Sequence, residues 1–363
     1  MKHDELQRAA RSVLMPAIAG LTLDDPVRRH LHAGGVSVLL GETRDEYQAR
    51  RMSFERRRAE THVQFSTMAK DARLCAAAPV LIAVDQELGG IQRLHGLVPG
   101  MPTPAALTHM SAAEIEARCY EMAGSARAMG INLFLAPIVD VVTGVNPWLH
   151  NRTLGADPAE VARIACAFIR GVQRAGITAT ATAKHFPGHH ALAQDPAVER
   201  AVVPDNAAAL QDGLEVFRQV IAAGVGAIMP GPAVFPALDP HQSASTSAAV
   251  IGLLRQGLGF EGLIVSDDLD AVSILAGNSI AQAAIAALNA GAHLLLVSAE
   301  AGLDDLADAI EQAVAQGQLD ARCLLAAAHK VRSTAQASHT QVEAGLYVSY
   351  PISGGHLTRR VML

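Results

Sequence analysis

Eight short apolar runs, separated by longer amphipathic stretches, restrict what this chain can fold into more than any other feature. The runs are Val13 to Ala19, Val36 to Leu40, Pro79 to Val84, Ile131 to Val141, Ile177 to Lys184, Val225 to Met229, Leu263 to Ser266 and His293 to Ser298. Between them lie Glu42 to Asp71, Ser111 to Met129, Pro158 to Ala175, Asp205 to Ala223, Ser247 to Gly257 and Ser279 to Ala290, with Gly302 to Gln316 after the last. Most of these are alanine-rich and readily helical. Asp157-Pro158 supplies an N-cap followed by proline at the first helical position, and Gly130, Gly176, Gly224 and Gly291 stop helices just before the next run. The alternation predicts an α/β protein, a parallel sheet wrapped by helices, and the number of runs is the one that closes a TIM (β/α)8 barrel.

With 363 residues, 50% hydrophobic and 18% charged, the chain can bury one large core. No composition shift or Ser/Gly linker divides it, so a single domain spanning 1–363 is expected. An irregular tail from about Gln341, with Tyr347, Tyr350, Pro351 and Gly354-Gly355, breaks the rhythm; packing over the barrel and packing against another subunit of a homo-oligomer both suit it. A net charge of -6 gives no basic footprint, which argues against nucleic acid or an anionic membrane as partner and for a small-molecule substrate. Cys75, Cys119, Cys166 and Cys323 are widely spaced and form no CxxC, which argues against a disulfide framework and a zinc site. The first twenty residues lack the apolar core of a signal peptide and no run is long enough to span a bilayer, so a reducing, cytoplasmic setting is expected.

In such a barrel the chemistry sits at the C-terminal ends of the strands. Four runs end in ionisable residues: the third in Asp85-Gln86-Glu87, the fourth in Asp140, the fifth in Lys184-His185 and the seventh in Asp267-Asp268. One such residue is as readily a cap or an ion-pair member as a catalyst. Four converging on one mouth would be costly to bury without a function. Carboxyls across a cleft suit glycoside chemistry, while His185, His189, His190 and Asp195, packed into eleven residues, offer metal-type donors as a rival reading. We expect no metal, and the absence of a GxGxxG or P-loop segment predicts no nucleotide cofactor.

The same residues resemble the single-domain bacterial β-N-acetylglucosaminidases of glycoside hydrolase family 3, from about Pro16 to Leu295. The resemblance rests on Ala83 to Glu87 with Gln92-Arg93, Ala136 to Val141, Arg152 ahead of Ala156-Asp157-Pro158, Lys184 to His189, Ala227 to Pro230, and Gly262 to Leu269. It implies a (β/α)8 barrel, a retaining mechanism and a glycosyl-enzyme on Asp267. It also implies that Asp85, Arg93, Arg152, Lys184, His185, His189 and Met229 hold the sugar. Between Asp267 and Asp268, the alternation of a strand allows only one to face the mouth.

The resemblance breaks where the family carries an Asp-Ser-His triplet whose histidine is the general acid/base. Here the aligned residues are Asp195-Pro196-Ala197, and alanine transfers no proton, a deficit of about 10² to 10⁴ in rate. Leu88 and Gly90 replace the usual glycine and arginine, His190 a glycine, and Pro232 a histidine. Three functions follow: a glycosidase whose proton donor is His190 or Asp195; transfer, phosphorolysis or another biosynthetic reaction on an activated substrate; or a sugar-binding protein without catalysis.

Overall fold

The computed structural model describes residues 3–174, 178–345, 347–349 and 360–362. Eight parallel strands, here β1 (Leu14–Ile18), β2 (Ser37–Leu40), β3 (Leu81–Val84), β4 (Leu133–Phe134), β5 (Thr180–Phe186), β6 (Ala227–Pro230), β7 (Leu263–Ile264) and β8 (Leu295–Ser298), form one sheet. Its order is β8-β1-β2-β3-β4-β5-β6-β7, so consecutive strands are neighbours and β1 also pairs with β8. This is a TIM-like α/β fold. Between β7 and β8 a full ladder is replaced by one bridge, Val265 with Leu294, and by the hydrogen bonds Ser266 N to Leu294 O (2.8 Å) and Leu269 N to Leu296 O (3.0 Å).

Alternating strand residues divide into two buried sets. Met15, Leu39, Leu81, Ala83, Leu133, Ala227, Leu263, Val265, Leu294 and Leu296 pack together inside the sheet. Their neighbours Leu14, Val38, Leu40, Ile82, Val84, Ile264, Leu295 and Val297 pack outward against the helices. Burial on both faces is why the strands read as continuous apolar runs rather than as alternation. Val331 and Ala335, from the last helix Ala321–Gly345, join the inner set.

Two expected elements are shorter or more divided than the runs suggest. Ile131 to Val141 yields only β4 and an isolated bridge from Ile138 to Lys184, because Pro137 interrupts the run and has no N–H for a ladder. Glu42 to Asp71 is not one helix but Arg44–Ala49, Phe54–Ala59 and the start of His62–Ala76, each opened by its own Thr or Ser cap. The Asp157-Pro158 start holds: the Asp157 carboxylate accepts from the N–H groups of Ala159 and Glu160. Gly291 ends its helix at φ +107°, a left-handed value that favours glycine. Gly176 lies outside the described residues.

The tail expected from about Gln341 begins inside the last helix, which runs to Gly345. Beyond it Tyr347–Ser349 pairs antiparallel with Arg360–Met362, while Tyr350, Pro351, Gly354 and Gly355 lie outside the described residues. All four cysteines are unpaired. Among the described residues, no helix is long and apolar enough to cross a membrane.

Candidate active site

The inward phase of the strands, carried two residues further, selects what lines the mouth. Leu81 and Ala83 are followed by Asp85, Ala227 by Met229, and Leu263 and Val265 by Asp267. These side chains, with Lys184, open into one cavity of about 800 Å³. Lys184 and His185 are adjacent, yet both line it; the register of β5 against β6 shifts between Lys184 and Phe186, and such an irregularity re-aims side chains. Asp267 and Asp268 also both line it, contrary to the expectation that only one would, because they lie past the end of β7, where strand alternation no longer applies.

The floor is a closed set of ion pairs. Lys184 Nζ donates to Asp85 Oδ1 at 2.6 Å and lies 3.0 Å from Glu87 Oε1. Arg152 grips Glu87 in bidentate fashion, Nε to Oε2 at 3.1 Å and Nη2 to Oε1 at 2.7 Å. Burial opposes the Glu87 charge, but Arg152 and then Lys184 outweigh it and hold the carboxyl well below the usual range. Burial likewise opposes the Lys184 charge, and Asp85 with Glu87 raises that ammonium above the ordinary lysine value. Arg152 Nη1 is buried without a partner, an unspent donor in the cavity wall. A Cβ at Gly90 would strike Glu87 Oε2 and Arg152 Cγ, so the space that a side chain would need there is already filled by this pair.

Behind the floor, the fully buried Asp140 accepts four hydrogen bonds. Oδ2 takes His185 N (3.1 Å) and Nδ1 (2.8 Å), and Oδ1 takes His189 N (2.7 Å) and Nδ1 (3.1 Å). Burial opposes its charge, yet the two imidazoles hold it well below the carboxylate range. An ionised Asp140 makes each facing Nδ1 a donor. Burial keeps the His185 pKa below its ordinary value, so the ring is neutral and its Nε2 presents a lone pair, 4.0 Å from Asp267 Oδ2. Trp148 packs on the His185 ring at a centroid distance of 4.6 Å.

Asp140, His185 and His189 are the metal-type cluster among the described residues; His190 and Asp195 are not in it. Their mutual hydrogen bonds use the Asp140 oxygens and both Nδ1 atoms, which suits an imidazole clamp rather than a ligand set.

Asp267 is tethered on one side only. Its Oδ1 accepts from Asp268 N at 2.8 Å and its own N donates to Ser245 Oγ at 3.0 Å, while Oδ2 is buried without a partner. Asp268 touches solvent, but enclosure by the cavity, followed by the charges of Asp270 and Asp267, pushes its carboxyl up to about 7.

The sequence-predicted residues divide accordingly. Asp85, Arg152, Lys184, His185, Asp195, Met229 and Asp267 line the cavity. Arg93, His189 and His190 do not. Arg93 is fully buried, donating to Glu60 at 2.6 and 3.0 Å and to Gly41 O at 2.9 Å, and His189 sits behind on Asp140. His190 is buried, its pKa lowered by that burial and then by His189, and its carbonyl accepts from Thr143 and Gly144. Asp195 also lines a second cavity of about 400 Å³ with Arg50, His150 and Asn151; its Oδ1 caps a turn by accepting from Ala197 N at 3.0 Å. Sequence reasoning missed Tyr47, Trp148 and Glu42. Glu42 opens the stretch expected to be helical, yet it stands just past the second apolar run, at the mouth end of β2.

Residues 23–334 match the sequence model of the glycosyl hydrolase family 3 N-terminal domain. A β-hexosaminidase from Tolumonas auensis is 33% identical over 295 residues, 78% of this chain and 81% of that protein. Among solved structures, a glycoside hydrolase family 3 β-N-acetylglucosaminidase from Paenibacillus superposes with a TM-score of 0.81 at 29% identity, covering 97% of this chain and 66% of that one. A β-N-acetylhexosaminidase from Beutenbergia cavernae gives 0.80 at 26% identity, covering 93% and 99%.

Proposed function

This chain belongs to glycosyl hydrolase family 3, and from that membership and the cavity we propose that it is a retaining glycosidase acting on β-linked N-acetylglucosamine or a related amino sugar. In this reading the eight-stranded sheet is the (β/α)8 barrel of a single domain, with the Val265–Leu294 bridge as its seam. The observation that carries the reading is Asp267 Oδ2: a buried carboxylate oxygen without a hydrogen-bond partner, on a residue that lines the cavity, 4.0 Å from His185 Nε2 and with the other oxygen fixed by a backbone N–H.

The terminal sugar lies over Asp85, Lys184 and Arg152, with its hydroxyls accepting from Arg152 Nη1 and donating to Nε2 of His185, whose Nδ1 is taken by Asp140. Charged and oriented partners of this kind fix the ring before reaction. Asp267 Oδ2 bonds to the anomeric carbon as the bond to the aglycone oxygen breaks; water then attacks the same carbon and frees the carboxylate.

The aglycone oxygen needs a proton. Of the two donors that the sequence offers, Asp195 lines the cavity and His190 does not, so Asp195 fills the role where the aglycone leaves toward the second cavity. It lacks the imidazole that it would orient in the relatives, Ala197 standing in that place.

Hydrolysis of a 4-nitrophenyl N-acetyl-β-glucosaminide beside unactivated chitobiose tests this. The aryl glycoside should turn over, and chitobiose should lag by a further factor of about 10² or more beyond the lag seen in a relative with the histidine. Asp267→Asn should abolish both. Full activity of Asp267→Asn, or parity with that relative on chitobiose, would overturn the assignment.

A further inference from the structure

Strand β2 delivers into the cavity a carboxyl that the mechanism above does not use. Glu42 follows Gly41, lines the cavity with Asp85 and Lys184, and its Oε2 is buried without a hydrogen-bond partner. The charges that act on it are Asp85 and Glu87, which repel it, and Lys184 and Arg93, which attract it. Both cations are already committed. Lys184 is held by Asp85 and Glu87, and Arg93 by Glu60 and Gly41 O. Burial, then Asp85 and Glu87, pushes the Glu42 carboxyl up to about 8. The cavity wall repeats the imbalance. It carries eight carboxyl groups, Glu42, Asp267, Asp268 and Asp270 among them, against the three cations Arg44, Arg152 and Lys184.

We propose that the cavity takes a sugar bearing a free ammonium, an unacetylated amino sugar, with Glu42 as the counter-ion of that group. The proposal rests on the glycosidase reading and narrows its substrate class. A hydroxyl or an acetamide can give Oε2 one hydrogen bond but leaves the excess of negative charge as it was. An ammonium supplies a charge-assisted donor to the carboxylate that Glu42 becomes on losing its proton, and it sets a cation beside Asp85 and Glu87, the charges that otherwise keep that proton on. Because the resting carboxyl keeps its proton near neutrality, binding of the cation expels that proton to solvent.

Calorimetric titration with glucosamine and with N-acetylglucosamine, at about pH 6.5 in two buffers of different ionisation enthalpy, reads both consequences. Glucosamine should bind about tenfold or more tighter than N-acetylglucosamine, as close charge pairs in other interfaces allow, with release of nearly one proton. Glu42→Gln, which mimics the protonated acid, should remove the preference and the proton release. Weaker or equal binding of glucosamine by the wild type, or a preference that survives Glu42→Gln, overturns the proposal. Should the variant fail to fold, the wild type still decides: because binding expels a proton, the preference should shrink as pH is lowered from about 6.5 to about 5, and a pH-independent ratio overturns the proposal. Release of 4-nitrophenol from the aryl glycosides of both sugars is a separate readout. Silence there defeats the glycosidase reading and leaves the calorimetry to judge Glu42.

Discussion

Lys184 and Arg93 were expected to share one job, and their surroundings assign them two. Lys184 bridges Asp85 and Glu87 on the cavity floor, whereas Arg93 is sealed under the wall by Glu60 and Phe65. Lys184→Met should therefore strand the Asp85 carboxylate, while Glu87 keeps its fork on Arg152, lowering stability by about 3 kcal/mol in denaturant titrations, and should weaken sugar binding as well. Arg93→Lys should lower stability, because a lysine cannot reproduce the fork on Glu60, yet leave the calorimetric affinity for sugar unchanged. Weakened sugar binding in Arg93→Lys would return that residue to the site. The residue types were legible in the sequence, since each ended or followed an apolar run. Their directions were not, because a guanidinium can reach several partners and only packing selects one.

At the scale of elements, the phase of each strand does the positioning. Inward residues at Leu81 and Ala83 place Asp85 at the mouth, and those at Leu263 and Val265 place Asp267 there. This much follows from a period of two. His185 escapes it through the register shift in β5, and Glu42 and Asp268 through the ends of their strands. The helices obey their caps: Asp157 accepts two N–H groups at the start of Pro158–Val172. Asp157→Ala should cost about 1 kcal/mol, measured as a shift in the denaturation midpoint without a change in slope. A change in slope instead would show that the cap affects more than its helix.

For the whole molecule, stability should form a dome against pH. His30, pushed down to about 4 by burial and then by Arg11, and His293, pushed down to about 3 by burial and then by Arg255, are neutral in the fold. Their contribution is complete above the unfolded histidine value and is lost as pH falls from about 6.5 toward those values. The depressed carboxylates Asp140 and Glu87 add a further loss as pH falls below about 4. Glu42 acts in the opposite sense. Its raised value favours the fold below the unfolded carboxyl pKa, and that advantage disappears as pH rises through about 8. Melting temperatures should thus fall on both sides of a maximum between about pH 5 and 7; Asp268, pushed up to about 7, acts in the same sense as Glu42, so Glu42→Gln should lessen the alkaline fall without abolishing it. An unaltered alkaline slope in that variant would show that Glu42 is not the group responsible.

The sequence by itself determined the strand count, the α/β class, the family and the identities of Asp85, Lys184 and Asp267, because apolar periodicity and motif order are local properties of the chain. Only the tertiary structure decided that the last helix contributes Val331 and Ala335 to the interior of the sheet, that Arg93 is spent on Glu60, and that Glu42 stands in the cavity without a cation of its own. The physical reason is the same in each case: a charge acquires its role from the partners packed against it, and those partners come from distant segments that the local pattern does not connect.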